Sequence, residues 1–258
     1  MIFRALTLTY AGVGYLLAMA SIAYFIGFLQ DLIVPKGIND GTPGAVWSSL
    51  LINVLLLWAF GFQHSLTART WFKERWTRIV PQHLERTTYL YMTAAMTAAL
   101  VLLWQPVPFV IWSVDNAVAS WVIIALYLGV WGLMFGSIFP IGHFSFFGLA
   151  QALRRVRNID EPPARFTVRF LYAVIRHPIS LGWMLTPLIT PHMTLGQLSF
   201  AIGATTYVLV ATIFEERDLV TELGVSYRRY RQSVPAFVPR LGRRKAARLV
   251  RQWSPARA

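Results

Sequence analysis

Cysteine is absent from the 258 residues, which removes disulfides, thiolate nucleophiles, cysteine-ligated zinc and iron–sulfur clusters in one step. Charge is scarce: 14% of the residues are Asp, Glu, Lys or Arg, against about 25% in an ordinary soluble domain. Acid is scarcer still, with 11 Asp plus Glu against 24 Lys plus Arg and a formal net charge of +13. Apolar residues make up 56% of the chain, above the roughly 45–50% of soluble domains. These proportions exclude a soluble globular protein, a disordered chain and a collagen-like repeat. The basic excess raises nucleic acid as a partner, and its placement decides the matter.

The apolar residues fall in long runs. Leu6 to Leu29 carries no charge and is long enough to cross about 30 Å of hydrocarbon as a helix. It lacks a short apolar core followed by a small-residue cleavage site, so it reads as a retained first span rather than a removable signal. The second run is Val46 to Leu66, the third Tyr89 to Leu103 and the fourth Ala117 to Ile138. Ile179 to Ile189 is too short to span alone, and Leu195 to Phe214 follows it. Pro187, Thr190, Pro191, His192 and Gly196 supply a turn between these two, predicting a helical hairpin. The expected fold is an all-α polytopic membrane bundle of four full spans plus a C-terminal hairpin. Its divisions are 1–138 for the four spans, 139–240 for a binding region with the hairpin and a roof over it, and 241–258 for a basic, partly disordered tail.

Orientation follows from the cations. With the N-terminus in the cytoplasm, only Lys36 falls on the outer side, between Asp31 and Asp40, and the other Lys and Arg all lie inside. The positive-inside rule then gives one topology, with both termini cytoplasmic. The block Arg243, Arg244, Lys245, Arg248, Arg251 suits attraction to anionic lipid headgroups. The basic excess is explained by membrane lipid as partner, and nucleic acid is not needed.

Ionisable groups at span ends are the informative ones. His64 ends the second span after Phe62 and Gln63, and His143 closes the fourth between Gly142 and Phe144. Either is a functional group or a histidine resting at the headgroup boundary. The densest set is Arg176, His177 and Pro178 at the start of the hairpin, with Gly182 and Trp183 after it. Pro178 biases His177 away from helical angles and suits the first helical position. The second arm ends in Glu215, Glu216, Arg217 and Asp218, followed by Gly224, Tyr227, Tyr230, Pro235, Pro239 and Arg240. A hairpin returns its second arm to the level where the first began, so Arg176 and His177 should meet Glu215 or Glu216. Adjacent helical residues point about 100° apart, so one carboxylate faces inward and the other elsewhere. A salt bridge between the arms and a ligand site are both open at this stage.

This ordered set, Arg176-His177-Pro178, Gly182-Trp183, Glu215 to Leu219, Gly224, Tyr227, Tyr230 and a Val-Pro and Pro-Arg ending, resembles the signature of the isoprenylcysteine carboxyl methyltransferase and phospholipid methyltransferase superfamily. The N-terminal half, with Phe62 to Ser65, Arg69 and Glu85-Arg86, looks like its NnrU-type branch. Gly142 to Gln151 and Met193 to Gly196 are similar to the methanethiol S-methyltransferases within it. The resemblance implies S-adenosylmethionine as donor, a small thiol as acceptor, dimethyl sulfide as product and a cytoplasm-facing active site in a bacterial inner membrane. It implies that Tyr172, Arg176, His177, Pro178, Gly182, Tyr207, Glu215, Glu216, Tyr227, Tyr230 and Arg240 hold the cofactor, and that His143, His64 or Arg176 serves the acceptor. No metal is implied. Relatives of the wider group carry Tyr two positions after the Pro, where this chain has Ser180, leaving that contact to Tyr172 or Tyr207.

Methyl transfer from a sulfonium needs position, an apolar approach and an acceptor in its nucleophilic form, with no covalent protein nucleophile. That suits a chain without cysteine. Two other classes stand beside it: an NADPH-dependent membrane reductase of the sterol-reductase-like type, whose C-terminal pattern is similar, and a non-enzymatic membrane component or transporter. Against the last, the middles of the spans hold almost no ionisable residues, whereas ion pathways place some there.

Overall fold

The computed structural model describes residues 1–162 and 168–239; Arg240 and the basic tail lie outside them. The first apolar run becomes α1 (Ile2–Phe28), and the second becomes α2 (Val46–Ala68). A short helix, α3 (Thr70–Trp76), leads to α4 (Gln82–Leu103). The strand β1 (Val110–Ser113) precedes α5 (Ala117–Ile138), whose start is capped by the Asn116 side chain accepting from Ala119 N. Two short helices follow, α6 (His143–Phe146) and α7 (Leu149–Arg157), then α8 (Pro178–Leu185), β2 (His192–Thr194) and the long α9 (Leu195–Ser233).

Among the described residues, four helical segments are long and apolar enough to cross a membrane: α1, α2, α5 with the turn after it, and α9. Their outer faces carry exposed Trp47, Leu51, Trp58, Trp121, Leu126, Ile202 and Ile213, apolar surface that lipid rather than water would cover. The chain is thus an integral membrane helical bundle, as read from the sequence. The third expected span differs in extent. Helix α4 begins seven residues ahead of Tyr89 with the polar turn Gln82 to Thr88, and it packs between α1 and α2.

Close approach brings these helices together where side chains are small. A Cβ on Gly14 of α1 would lie 2.5 Å from Thr87 of α4, and one on Gly61 of α2 would lie 2.6 Å from the Tyr207 ring of α9. Hydrogen bonds fix the registers: Tyr10 with Thr88 at 3.0 Å, Tyr127 to the Ile26 carbonyl at 2.7 Å, and buried Asn53 with the backbone N and O of Gln105 at 2.9 and 2.8 Å. Asn53 thereby secures the far end of α4, a structural task.

The hairpin's turn holds the main surprise. Its residues pair antiparallel with the strand before α5: Val110 opposite Thr194, Trp112 opposite Met193, Ser113 opposite His192. The hairpin therefore reaches the end of the bundle where α5 begins. Eight helical residues suffice for its first arm because a tight helical turn at Thr186–Leu188 and extended chain complete the distance. Met193 and Thr194 are almost fully buried, and Leu195 and Gly196 donate to the carbonyls of Phe109 and Val107. The N-terminus and the end of α9 share the opposite, arginine-rich end.

Candidate active site

Spacing on three helices builds a cavity at that end. On α2, Leu57, Phe60, His64 and Ala68 recur every three or four residues and share one face; on α4, Arg86, Tyr89, Thr93 and Thr97 do the same. On α9 the corresponding face carries Phe200, Ala204, Tyr207, Ala211 and Glu215. With α1, α5 and α8 they enclose about 550 Å³, within the range of small-molecule sites. Its interior is apolar, formed by Phe25, Leu57, Leu100, Trp131, Met134, Trp183 and Phe200. Trp131 and Trp183 meet edge to face with centroids 5.0 Å apart. Ionisable side chains gather at the mouth: His64, Arg69, Arg86, Glu215 and Asp218.

Neighbouring groups order the mouth. The Tyr89 hydroxyl lies 2.7 Å from His64 Nε2, Phe60 stacks on the imidazole with centroids 5.4 Å apart, and Thr93 stands 3.4 Å from Nδ1. Ser65 bonds the Tyr207 hydroxyl at 3.0 Å, while Arg69 donates to Asp218 at 2.8 Å and to the Ser65 carbonyl at 3.2 Å.

Beside the mouth lies a second, more buried cluster. Arg176 Nε donates to Glu216 Oε1 at 2.8 Å, and Nη2 stands 2.6 Å from the same oxygen. His177 Nε2 lies 3.0 Å from Glu216 Oε1, and its Nδ1 lies 3.7 Å from Glu215 Oε2. The C-terminal segment folds over this cluster. The backbone N–H groups of Arg176 and His177 donate to Pro235 and Ala236, and Arg176 Nη1 donates to the carbonyls of Arg231 and Val234. Tyr227 and Tyr230 are buried with Val168 and Val234, and Tyr230 donates to the Tyr172 carbonyl at 2.6 Å. Glu216 stands beyond the apolar stretch of α9 that ends at Phe214. Burial disfavours its charge, yet hydrogen bonds from His177 and Arg176 outweigh that and hold its carboxyl below the usual glutamate range. Burial, and then the Glu215 charge, push the Tyr172 phenol up to about 12.

The expected meeting of Arg176 and His177 with the paired carboxylates thus occurs, and the two carboxylates divide as their angular separation requires. Glu216 is spent on Arg176, His177 and Arg231, while Glu215, with 53% of its side chain exposed, lines the cavity. Of the other residues assigned to the cofactor, Tyr207 also lines it. Among the described residues, Arg176, His177, Pro178, Tyr172, Glu216, Tyr227 and Tyr230 lie outside the lining, as framework and roof. Gly182 serves packing, since a Cβ there would fall 2.2 Å from Met134. Of the three acceptor-side residues His64 lines the cavity, but His143 does not. Its ring stacks on Phe139, bonds Tyr15 at 3.0 Å and packs against Phe147, which does. Ser180 also takes a place in the wall. Arg86, Tyr89, Thr93 and Trp131 were given no role in the site from sequence, although the 86, 89, 93 spacing marks one helical face.

The chain is 38% identical over 245 residues, 95% of its length, to Methanethiol S-methyltransferase 2 of Bradyrhizobium diazoefficiens, covering 94% of that protein. The chain belongs to the methanethiol S-methyltransferase family. It is similarly 39% identical over 92% of its length to Methanethiol S-methyltransferase of Mycobacterium tuberculosis, covering 97% of it. With the enzyme of that name from a Pseudomonas species it shares 40% identity over 90% of its length and 89% of the relative's. No family model matches the chain, and no solved structure does. The matched stretch in this methanethiol S-methyltransferase family member is long enough to take in both the cavity walls and the roof.

Proposed function

We propose that the chain is an S-adenosylmethionine-dependent thiol S-methyltransferase that converts methanethiol to dimethyl sulfide, with its cavity opening to the cytoplasm of a bacterial inner membrane. The observation that carries this reading is the division of one cavity into an apolar, tryptophan-lined interior and a charged mouth, in a chain of this family. The donor set fits the cofactor: Glu215 and Asp218 suit its amino and hydroxyl groups, Arg69 its carboxylate, and the aromatic faces its adenine and cationic sulfur. When bound, S-adenosylmethionine supplies a methyl group already activated by a sulfonium leaving group.

The protein's own residues have three tasks. Trp131, Trp183, Phe25 and Phe200 keep water from the reacting sulfur, which favours a desolvated nucleophile. The walls fix the line of approach, an effect worth several kcal/mol when the reacting atoms are held in contact, up to about 7–11 in the best cases. His64, oriented by Tyr89 and Phe60, takes the thiol proton. Glu215, Asp218 and Arg69 would hold S-adenosylmethionine to supply the methyl group, its own sulfur keeping the electron pair, and the acceptor would meet it as a thiolate. A cavity of this size, largely taken up by the donor, favours an acceptor of a few atoms over a prenyl or lipid chain.

Purified protein incubated with labelled S-adenosylmethionine and methanethiol should release labelled dimethyl sulfide into the headspace. No product at saturating thiol, together with tight NADPH binding, would overturn this reading in favour of a reductase.

A further inference from the structure

Two arginines line the cavity, and their donors are spent differently. Arg69 gives Nη1 to Asp218 and Nε to the Ser65 carbonyl, so its charge is met by an internal carboxylate. Arg86 sits between two rings, its guanidinium carbon 4.9 Å from the Tyr89 centroid and 5.0 Å from that of Phe146, and Nε donates to the Phe146 carbonyl at 2.7 Å. Among the described residues its two terminal nitrogens have no hydrogen-bond acceptor and no carboxylate partner. A cation in a cavity wall without an internal counter-charge is costly unless something anionic meets it there. Stacked on two faces and tied along one edge, it leaves the other edge of a rigid, permanently charged fork for that anion.

We propose that Arg86 holds the acceptor sulfur as its thiolate. The proposal rests on the thiol S-methyltransferase reading and identifies the group that makes the acceptor nucleophilic. Its surroundings favour a thiolate over the donor's carboxylate. Arg86 shares its helical face with Tyr89, the partner of His64, so a cation and a proton acceptor stand together against apolar surface. The polar ends of the donor have Arg69, Asp218 and Glu215 on the facing helices. In this arrangement the S–H proton passes to the His64 imidazole and on to solvent at the mouth, and the negative sulfur is left against Arg86. Each unit by which the cation lowers the thiol pKa raises the thiolate fraction about tenfold near neutral pH.

Arg86→Gln and Arg86→Lys test this in purified protein by three readouts: ultraviolet thiolate absorbance as methanethiol is titrated in, S-adenosylhomocysteine affinity by calorimetry, and the pH profile of dimethyl sulfide formation. For Arg86→Gln the thiolate signal at neutral pH should vanish. Its KM for methanethiol should rise about tenfold or more, the rate should recover as pH rises, and nucleoside affinity should stay within about twofold. Arg86→Lys, which keeps the charge, should retain most of the signal and shows that the site still folds. Loss of S-adenosylhomocysteine affinity with an intact thiolate signal would overturn the proposal and assign Arg86 to the donor's carboxylate. Unchanged behaviour in all three readouts would reduce Arg86 to a brace for Phe146. The absorbance titration needs no turnover: a wild-type protein that forms thiolate but no dimethyl sulfide contradicts the proposed reaction and not the role of Arg86. A wild-type protein that turns over without any thiolate signal does the reverse.

Discussion

The Tyr89 hydroxyl lies 2.7 Å from Nε2 of His64, across the interface between α2 and α4. Twenty-five positions separate the two residues, so neither span alone discloses the pair.

Tyr89→Phe removes this partner while keeping the ring under Arg86. One lost hydrogen bond of about 1–1.5 kcal/mol corresponds to roughly a tenfold fall in kcat. His64→Ala, which removes the proposed base, should lower kcat by about 10²–10⁴. Both variants should bind S-adenosylhomocysteine as the wild type does. Steady-state dimethyl sulfide formation and calorimetry measure the two effects, and a His64→Ala variant with full turnover would remove His64 from the chemistry.

Arg176 and Glu216 form a pair whose side chains are only 10% and 12% exposed. Removing Arg176 leaves Glu216 to His177 and the more exposed Arg231 and strips the carbonyls of Arg231 and Val234 of their donor, at a cost of about 1–3 kcal/mol. Arg176→Ala should therefore unfold well below the wild-type temperature in detergent, with the C-terminal segment released first to proteolysis. Glu216→Gln keeps the shape and should be milder.

The same carboxyl predicts a pH dependence. Because its folded-state pKa is held below the ordinary glutamate value of about 4.3, its contribution is complete above that value and is lost as pH falls through the folded-state one. Thermal unfolding midpoints measured from pH 6 downward, a window of about 3 units, should fall less steeply in Glu216→Gln than in wild type. Parallel curves would show that the carboxyl gains nothing from Arg176 and His177.

Gly182→Ala places a methyl group against Met134 Sδ, 2.2 Å away. Overpacking of this kind costs about 1–3 kcal/mol, and Met134→Ala in the same chain should restore part of it. Unfolding of the two single variants and the double variant separates this packing role from the cofactor contact that the motif implied: a cofactor contact would show as lost nucleoside affinity that Met134→Ala does not restore.

Gly224 adopts φ +59° and ψ −128° inside α9, and a Cβ there would meet nothing within 4 Å. Gly224→Ala should therefore cost about 1–3 kcal/mol from backbone strain alone. A stability equal to wild type would mean that α9 straightens without penalty.

Much of the architecture was legible because lipid imposes its demands residue by residue. Ala117 and Ile138 were readable as the ends of α5 since charge and proline stop there, and Glu215 and Glu216 were placed opposite Arg176 by the return of a hairpin. The pairing of β1 with β2 was not readable, because Val110 and Thr194 are joined only by tertiary packing and neither segment alternates long enough to announce a strand. His143 was weighted by its position at a span end, whereas an aromatic box of Phe139, Phe144 and Phe147 absorbs it. The cavity-facing role of Arg86 depended on Phe146, 60 residues away.

The antiparallel pairing at the far end gives the short first arm of the hairpin two fixed points, since its other end is stitched to Pro235 and Ala236 through Arg176 and His177. A rod fastened at both ends cannot swing. On the opposite wall, α2 and α9 are joined at the mouth by the Arg69–Asp218 pair, and the Asp218 side chain is 49% exposed. A pair so open to solvent contributes about 0–1 kcal/mol. The hairpin wall is thus held by backbone pairing at both ends, whereas the charged rim facing it rests on a solvent-screened pair.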